Sequence, residues 1–161
     1  MKRWFLVGLG LWFALGTNVV ESKSPTPRPA ARKPKPRTTN KGTLIVRITG
    51  FRSSKGRALI AMFGSAKGFP GKHKNAVLRQ VTAIKNKVAV FKLKKLKFGT
   101  YAISAIHDAN NNQKLDTGIF GIPKEAYGAS RNARRTFGPP RFRDAKFVFK
   151  KHKQVVTFYV K

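Results

Sequence analysis

The chain has no cysteine. That excludes disulfides, although an exported protein would be free to form them, and it excludes a lipid carried on a lipobox cysteine. Stability must therefore come from a hydrophobic core, with a bound ion as the one further source the sequence suggests. Acidic residues are nearly missing as well: five Asp and Glu stand against 35 Lys and Arg, a formal net charge of +30. A balance this basic predicts attraction to polyanions, meaning nucleic acid, phosphorylated envelope glycan or an anionic membrane surface. The alternative is a general surface bias toward charge, held for solubility. No apolar run reaches the roughly 20 residues that a bilayer-spanning helix requires. No long segment has convincing helical periodicity either, which argues against an all-α architecture.

What is present sorts into three stretches. Lys2 and Arg3 followed by the apolar run from Trp4 to Leu15, with Val20 and Ser22 as a small-x-small end, read as a signal peptide over 1–22. A retained anchor is the alternative; after processing no stable transmembrane span is expected. The predicted destination is therefore outside the cytoplasm: periplasm, cell envelope or extracellular space. Residues 23–42, KSPTPRPAARKPKPRTTNKG, hold five prolines, seven basic residues and no acid. No core can be built from such a stretch, so it reads as an extended disordered arm, either a spacer or an electrostatic tether. The folded part is expected over 43–161. Removing the nine Lys and Arg that precede Thr43 leaves 26, against four acids, so the domain carries about +22 by itself.

Short apolar runs recur along that part: TLIVRITGF, RALIAMF, NAVLRQVTAI, KVAVFKL, TYAISAI, AKFVFK and QVVTFYV. Several alternate with period two, as in Val46 and Ile48 against Arg47 and Thr49, or Val88 and Val90 against Lys87 and Ala89. Turn residues such as Ser53-Ser54-Lys55-Gly56 separate them. About seven strands of this kind predict an all-β fold, an antiparallel β-sandwich of immunoglobulin-like or prealbumin-like type, with a small closed barrel as the alternative. Between Ile106 and Ala145 no good strand is legible, and an uninterrupted loop of that length is functional or pinned by something.

The loop opens with HDANNNQKLD, residues 107–116. Counting from Asp108 as position one, Asp108, Asn110 and Asn112 occupy 1, 3 and 5, the Lys114 carbonyl 7 and Asp116 position 9. This is the alternation of oxygens that a calcium loop uses, and Leu115 at position 8 suits a residue turned toward the core. Gln113 stands where Gly is favoured and Ile119 where a bidentate Glu closes the shell, so Glu125 would have to fold back to complete the set. A site of this kind is expected to be weak, about 10⁻⁴ to 10⁻³ M for Ca²⁺. The competing reading is a metal-free polar turn in which the Asn residues accept left-handed geometry. No other cofactor is suggested.

The segment GTYAISAIHDANNNQKLDTGIFGIPKEAYGASRNA, followed by FGPPRFRDAKFVF, resembles the bacterial family called domain of unknown function 2141. The pattern falls on His107, Asp108, Asn110, Asn112, Leu115, Asp116, Gly121, Pro123, Glu125, Tyr127, Gly128, Gly138, Pro139, Pro140 and Phe142. The resemblance implies an exported β-sandwich with Glu125 and Tyr127 in one site, and it implies no known reaction. Family members commonly have Gly at the position of Gln113, which implies a lower ion affinity in this copy if the shared loop binds an ion.

Downstream, Arg131, Arg134, Arg135, Arg141 and Arg143 interleave with Phe137 and Phe142. Guanidinium groups bind phosphate or carboxylate bidentately and aromatics stack on bases or sugars, so the stretch reads as a polyanion platform. Its alternative is a solvated basic loop that the two Phe residues anchor to the core. The leading expectation is a non-enzymatic envelope binding or structural module facing an anionic envelope polymer or membrane surface, with nucleic acid as an alternative partner. A metal-assisted hydrolase using His107, Asp108, Glu125 and Tyr127 ranks last. Adjacent strand residues point to opposite faces, so His107 and Asp108 cannot easily act as base and orienter. His107 is expected to be structural, and His73 and His152 to lie on the surface.

Overall fold

The computed structural model describes residues 40–161. The expected signal peptide and nearly all of the basic arm lie outside the described residues. Among the described residues eight strands form: β1 (Lys41–Thr49), β2 (Arg57–Phe63), β3 (Leu78–Ala83), β4 (Ala89–Lys97), β5 (Gly99–Asp108), β6 (Tyr127–Ala129), β7 (Phe147–Phe149) and β8 (Lys153–Tyr159). One sheet has the order β4-β1-β8 and the other β3-β2-β5-β6, with β7 paired to the start of β5. The fold is an all-β sandwich. Among the described residues no helix is long and apolar enough to cross a membrane.

Alternation decides which side chains meet between the sheets. Leu44, Val46 and Ile48 from β1, Phe91 and Leu93 from β4, Ile60 and Met62 from β2, and Ile103 and Ala105 from β5 are all buried in one cluster. Strand residues two apart share a face, and each large apolar side chain buried there contributes about 1.5–3 kcal/mol. The expected inward set of β1 is found. In β4 the phase is the opposite of that expected from Val88 and Val90: Ala89, Phe91 and Leu93 are buried, while Val90 is 51% exposed. Phe91 and Leu93 stand at odd positions, and together they outweigh Val90 and decide the phase.

Three further differences follow from pairing across the chain. β1 begins at Lys41, two residues earlier than expected, because Lys41 and Gly42 pair with Lys97 and Leu96. β1 and β8 run parallel, as the first and last strands of a sheet that the intervening chain leaves and re-enters. The stretch from Ile106 to Ala145 is also interrupted by the three-residue β6, whose Tyr127, Gly128 and Ala129 pair with Ile106, Ala105 and Ser104. Gly128 lies so close to the last strand that an added Cβ would run into the Tyr159 carbonyl oxygen. Tyr127 and Lys161 exchange backbone hydrogen bonds of 3.2 and 3.1 Å there.

β2 is buried from Ala58 to Phe63 on both faces, as an apolar run without alternation requires. Part of its second face lies under the loops 64–77 and 130–146. Phe63 meets Phe69 edge-to-face at 5.3 Å, and Phe69 meets Phe142 at 5.9 Å. Ala102, Ala129, Ala133 and Ala145 form a small second core beside them. A single hydroxyl fastens the second loop to the sheet: fully buried Ser130 Oγ accepts from the Ile103 N–H at 3.0 Å and donates to the Ala145 carbonyl at 2.6 Å. Ser130→Ala would leave two buried backbone groups unpaired. It should lower unfolding stability by about 2–3 kcal/mol in urea denaturation, and a loss below about 0.5 kcal/mol would show that the clip is dispensable.

Candidate functional site

The carboxylate of Asp108, at the end of β5, is fully buried. Its two oxygens accept the N–H groups of Asn112 at 3.0 Å and Gln113 at 2.9 Å, which folds the chain back over the strand end. Asn111 and Gln113 have positive φ, 63° and 61°. Asn tolerates that geometry; Gln113 costs about 1–2 kcal/mol, offset by the bond its own N–H makes to Asp108. Asn110 and Asn112 add short local turns, with Oδ1 atoms accepting from the N–H groups of Asn112 (3.2 Å) and Lys114 (2.8 Å).

The other two acids of this region close the structure. Asp116 accepts from the side-chain amides of Asn110 at 2.7 Å and Asn112 at 2.8 Å. Glu125 does fold back: its oxygens accept the N–H groups of Ala109 at 2.9 Å and Asp116 at 3.0 Å, tying the two ends of the turn together. The proposed ligands Asp108, Asn110, Asn112 and Asp116 thus share one hydrogen-bonded cluster, Glu125 spans it, and Lys114 joins through its N–H. Every oxygen of the three carboxylates already holds an N–H donor. Among the described residues no three of His, Asp and Glu converge closely enough to hold a metal ion between them.

His107 points away from this cluster, as strand alternation requires. Its Nε2–H donates to the Lys55 carbonyl at 2.9 Å and its ring stands edge-on to Phe51, with centroids 5.3 Å apart. It is 3% exposed. His152 is exposed.

Beside the loop, two adjoining hollows of about 410 and 320 Å³ share His73, Ser104, Ala105 and Ile106, forming one groove on the outer face of the larger sheet. Its floor includes Leu59 and Ala61; Lys114 and half-buried Leu115 of the loop line one side. The charged residues that line it are Arg79 and Lys114, with no acid. Burial, and secondarily the charge of Arg79, lowers the His73 pKa from its usual 6.5 and favours the neutral ring. Ser104 Oγ donates to the Pro70 carbonyl at 3.0 Å. His73, Arg79 and Ser104 were not legible as site residues: each stands on a different element, and no local spacing joins them.

The Arg-rich stretch divides. All five arginines, Arg131, Arg134, Arg135, Arg141 and Arg143, are exposed. Arg131 donates to the Lys146 carbonyl at 3.3 Å, Arg134 lies 5.1 Å from the Tyr159 ring centroid and Arg143 pairs with Asp144 at 3.6 Å. Of the two aromatics, Phe142 packs into the second core, whereas Phe137 is 83% exposed.

The family model described as an uncharacterized protein conserved in bacteria (DUF2141) matches residues 46–157. The chain belongs to that family. The match spans the loop, the groove and the Arg-rich stretch, so all three lie within the DUF2141 domain. No curated protein and no solved structure matches the chain.

The loop's shape should depend on its carboxylates. Glu125→Ala should cost about 1–3 kcal/mol of stability. It should also speed amide hydrogen exchange at Ala109 and Asp116 by about tenfold or more; unchanged exchange at both amides would remove Glu125 from this role.

Proposed function

We propose that this protein is an exported, non-enzymatic binding module of the bacterial cell envelope, held to anionic envelope polymer or membrane surface by its own positive charge. The observation that carries the reading is where the acids go. Of four carboxylates in residues 43–161, Asp108, Asp116 and Glu125 are engaged by N–H groups of the loop. Among the described residues one ion pair remains, Arg143 with Asp144. The other 25 Lys and Arg of that span form no ion pair among the described residues, and the net charge of about +22 takes its counter-charge from outside the molecule. Export is supported by the leader pattern and the family resemblance. The hydrolase alternative is weakened by His107, whose ring is engaged with Lys55 and Phe51.

Binding of the full chain to polyphosphate, followed by fluorescence anisotropy, should weaken by about tenfold or more between 50 and 300 mM salt. Arg134→Gln with Arg135→Gln should reduce the salt slope without unfolding the chain. An affinity that stays flat across that range would end the charge-driven reading.

A second reading has its own observation: the side chains at positions 1, 3, 5 and 9 of the loop do converge, with Asp116 touching both Asn amides. A Ca²⁺ ion held there through Asp108, Asn110, Asn112, the Lys114 carbonyl, Asp116 and Glu125 would require the two Asn amides to turn their oxygens inward. In a thermal melt at fixed ionic strength, Ca²⁺ at millimolar levels should then raise the midpoint where Mg²⁺ does not, by mass action on the native state. The increment should vanish in Asp116→Asn. Identical melts in chelator and in 5 mM Ca²⁺, on the order of the expected dissociation constant or above it, would leave the stretch a metal-free turn.

A further inference from the structure

The far end of the same loop is a small hairpin with an apolar tip. Thr117 pairs with Pro123, the Gly118 N–H donates to the Ile122 carbonyl at 2.7 Å, and the Lys124 N–H donates to the Asp116 carbonyl at 2.8 Å. The turn closes with the Gly121 N–H on the Gly118 carbonyl at 3.2 Å, and Phe120 takes a left-handed φ of 58°. What this backbone presents is unusual for a chain so rich in charge. From Thr117 to Pro123 there is no charged residue, and Ile119, Phe120 and Ile122 are 79, 96 and 65% exposed.

We propose that this tip is a wedge that enters the headgroup and upper acyl region of an anionic lipid bilayer. The inference rests on the charge-driven reading above and names its partner. Three features of the hairpin fit a lipid surface. The apolar side chains project from a convex tip, so they can be buried only by something that closes around them. Several backbone polar groups of the hairpin are already paired with one another, as entry into an apolar phase requires. Lys124 follows the uncharged segment directly and Lys114 stands two residues before Asp116, which precedes it; cations near the base of an inserted apolar group can meet lipid phosphates. The half-buried carboxylates that could repel such a surface are engaged within the loop, Asp116 by two Asn amides and Glu125 by two backbone N–H groups. Anchored by those bonds, the hairpin keeps its shape before contact, so little ordering is needed on insertion.

The absence of cysteine makes the test direct. In the full chain, Ile119→Cys carries a nitroxide at the tip, and Val90→Cys, 51% exposed on β4 of the smaller sheet, carries it elsewhere. On adding vesicles of phosphatidylcholine with phosphatidylglycerol, the label at 119 should gain collisions with oxygen and lose them with a water-soluble nickel complex. The label at 90 should remain aqueous, and pure phosphatidylcholine vesicles should leave both unchanged. Because the readout is local, an apolar leader that binds vesicles by itself cannot mimic it. Phe120→Asn, which suits the left-handed backbone, should weaken partition to the anionic vesicles by about tenfold while leaving polyphosphate binding intact. A chain that binds the vesicles with its 119 label still aqueous overturns the wedge and leaves the charge reading standing, as does a tip label shielded by protein before lipid is added. Failure to bind either vesicles or polyphosphate overturns both.

Discussion

Asp108 is the point on which the functional end of this molecule turns. A carboxylate with no exposure to water is costly unless it is hydrogen-bonded, and here the donors are the N–H groups of Asn112 and Gln113. Satisfying that charge is what forces the chain to reverse as it leaves β5. The reversal brings Asp116 onto the Asn amides and positions Glu125 to join Ala109 to Asp116. Each carboxylate thus organises what the next one needs. The placement of Lys114 and Leu115 beside the groove, and of the 117–123 hairpin beyond it, is a consequence of the same set of bonds.

The second constraint is that β2, at the centre of the larger sheet, is apolar on both faces. One face of that larger sheet packs against the smaller sheet, as in any sandwich. The other exposes Leu59, Ala61, Phe63 and Ala102 to whatever lies outside, and burying them draws in the loops 64–77 and 130–146 through Phe69 and Phe142. Those loops do not cover the whole face. Between His73 of the first loop and Gln113 of the Asn-rich loop, the floor of the sheet stays open as the groove. The concavity is therefore the unfilled remainder of a second core, which explains an apolar floor with a rim of cations.

Most strands were legible in the sequence because period two and β-branched content are local properties. β1, β2, β5 and β8 are found within a few residues of their apolar runs. The turn at HDANNNQKLD was also legible, since Asx turns are made by residues two to five apart. What escaped local reading was set by partners far along the chain. The face of β4 turned on the areas of Phe91 and Leu93 against a distant sheet, and β6 exists because Gly128 can approach Tyr159. The groove gathers His73, Arg79 and Ser104 from three elements. Glu125 was legible only as a residue that would have to fold back, and the family resemblance put it in one site with Tyr127, because a contact across sixteen residues leaves no spacing signature.

Charge and stability in this domain are coupled through the same acids. About +22 on a domain of this size is self-repelling, and the repulsion is screened only over roughly 8–10 Å in physiological salt. The usual remedy is a mixed surface on which acids lie between the cations. Here three of the four acids in residues 43–161 are held by backbone and side-chain N–H groups within one loop, so they lower the net charge without forming ion pairs. The remaining relief must come from counter-ions, and a bound polyanion is the most concentrated form of counter-ion available. Such a partner prefers the compact native state, where the cations lie closest together, over the unfolded chain. Its binding therefore raises stability by mass action, and the fold and the proposed attachment to an anionic surface become one equilibrium.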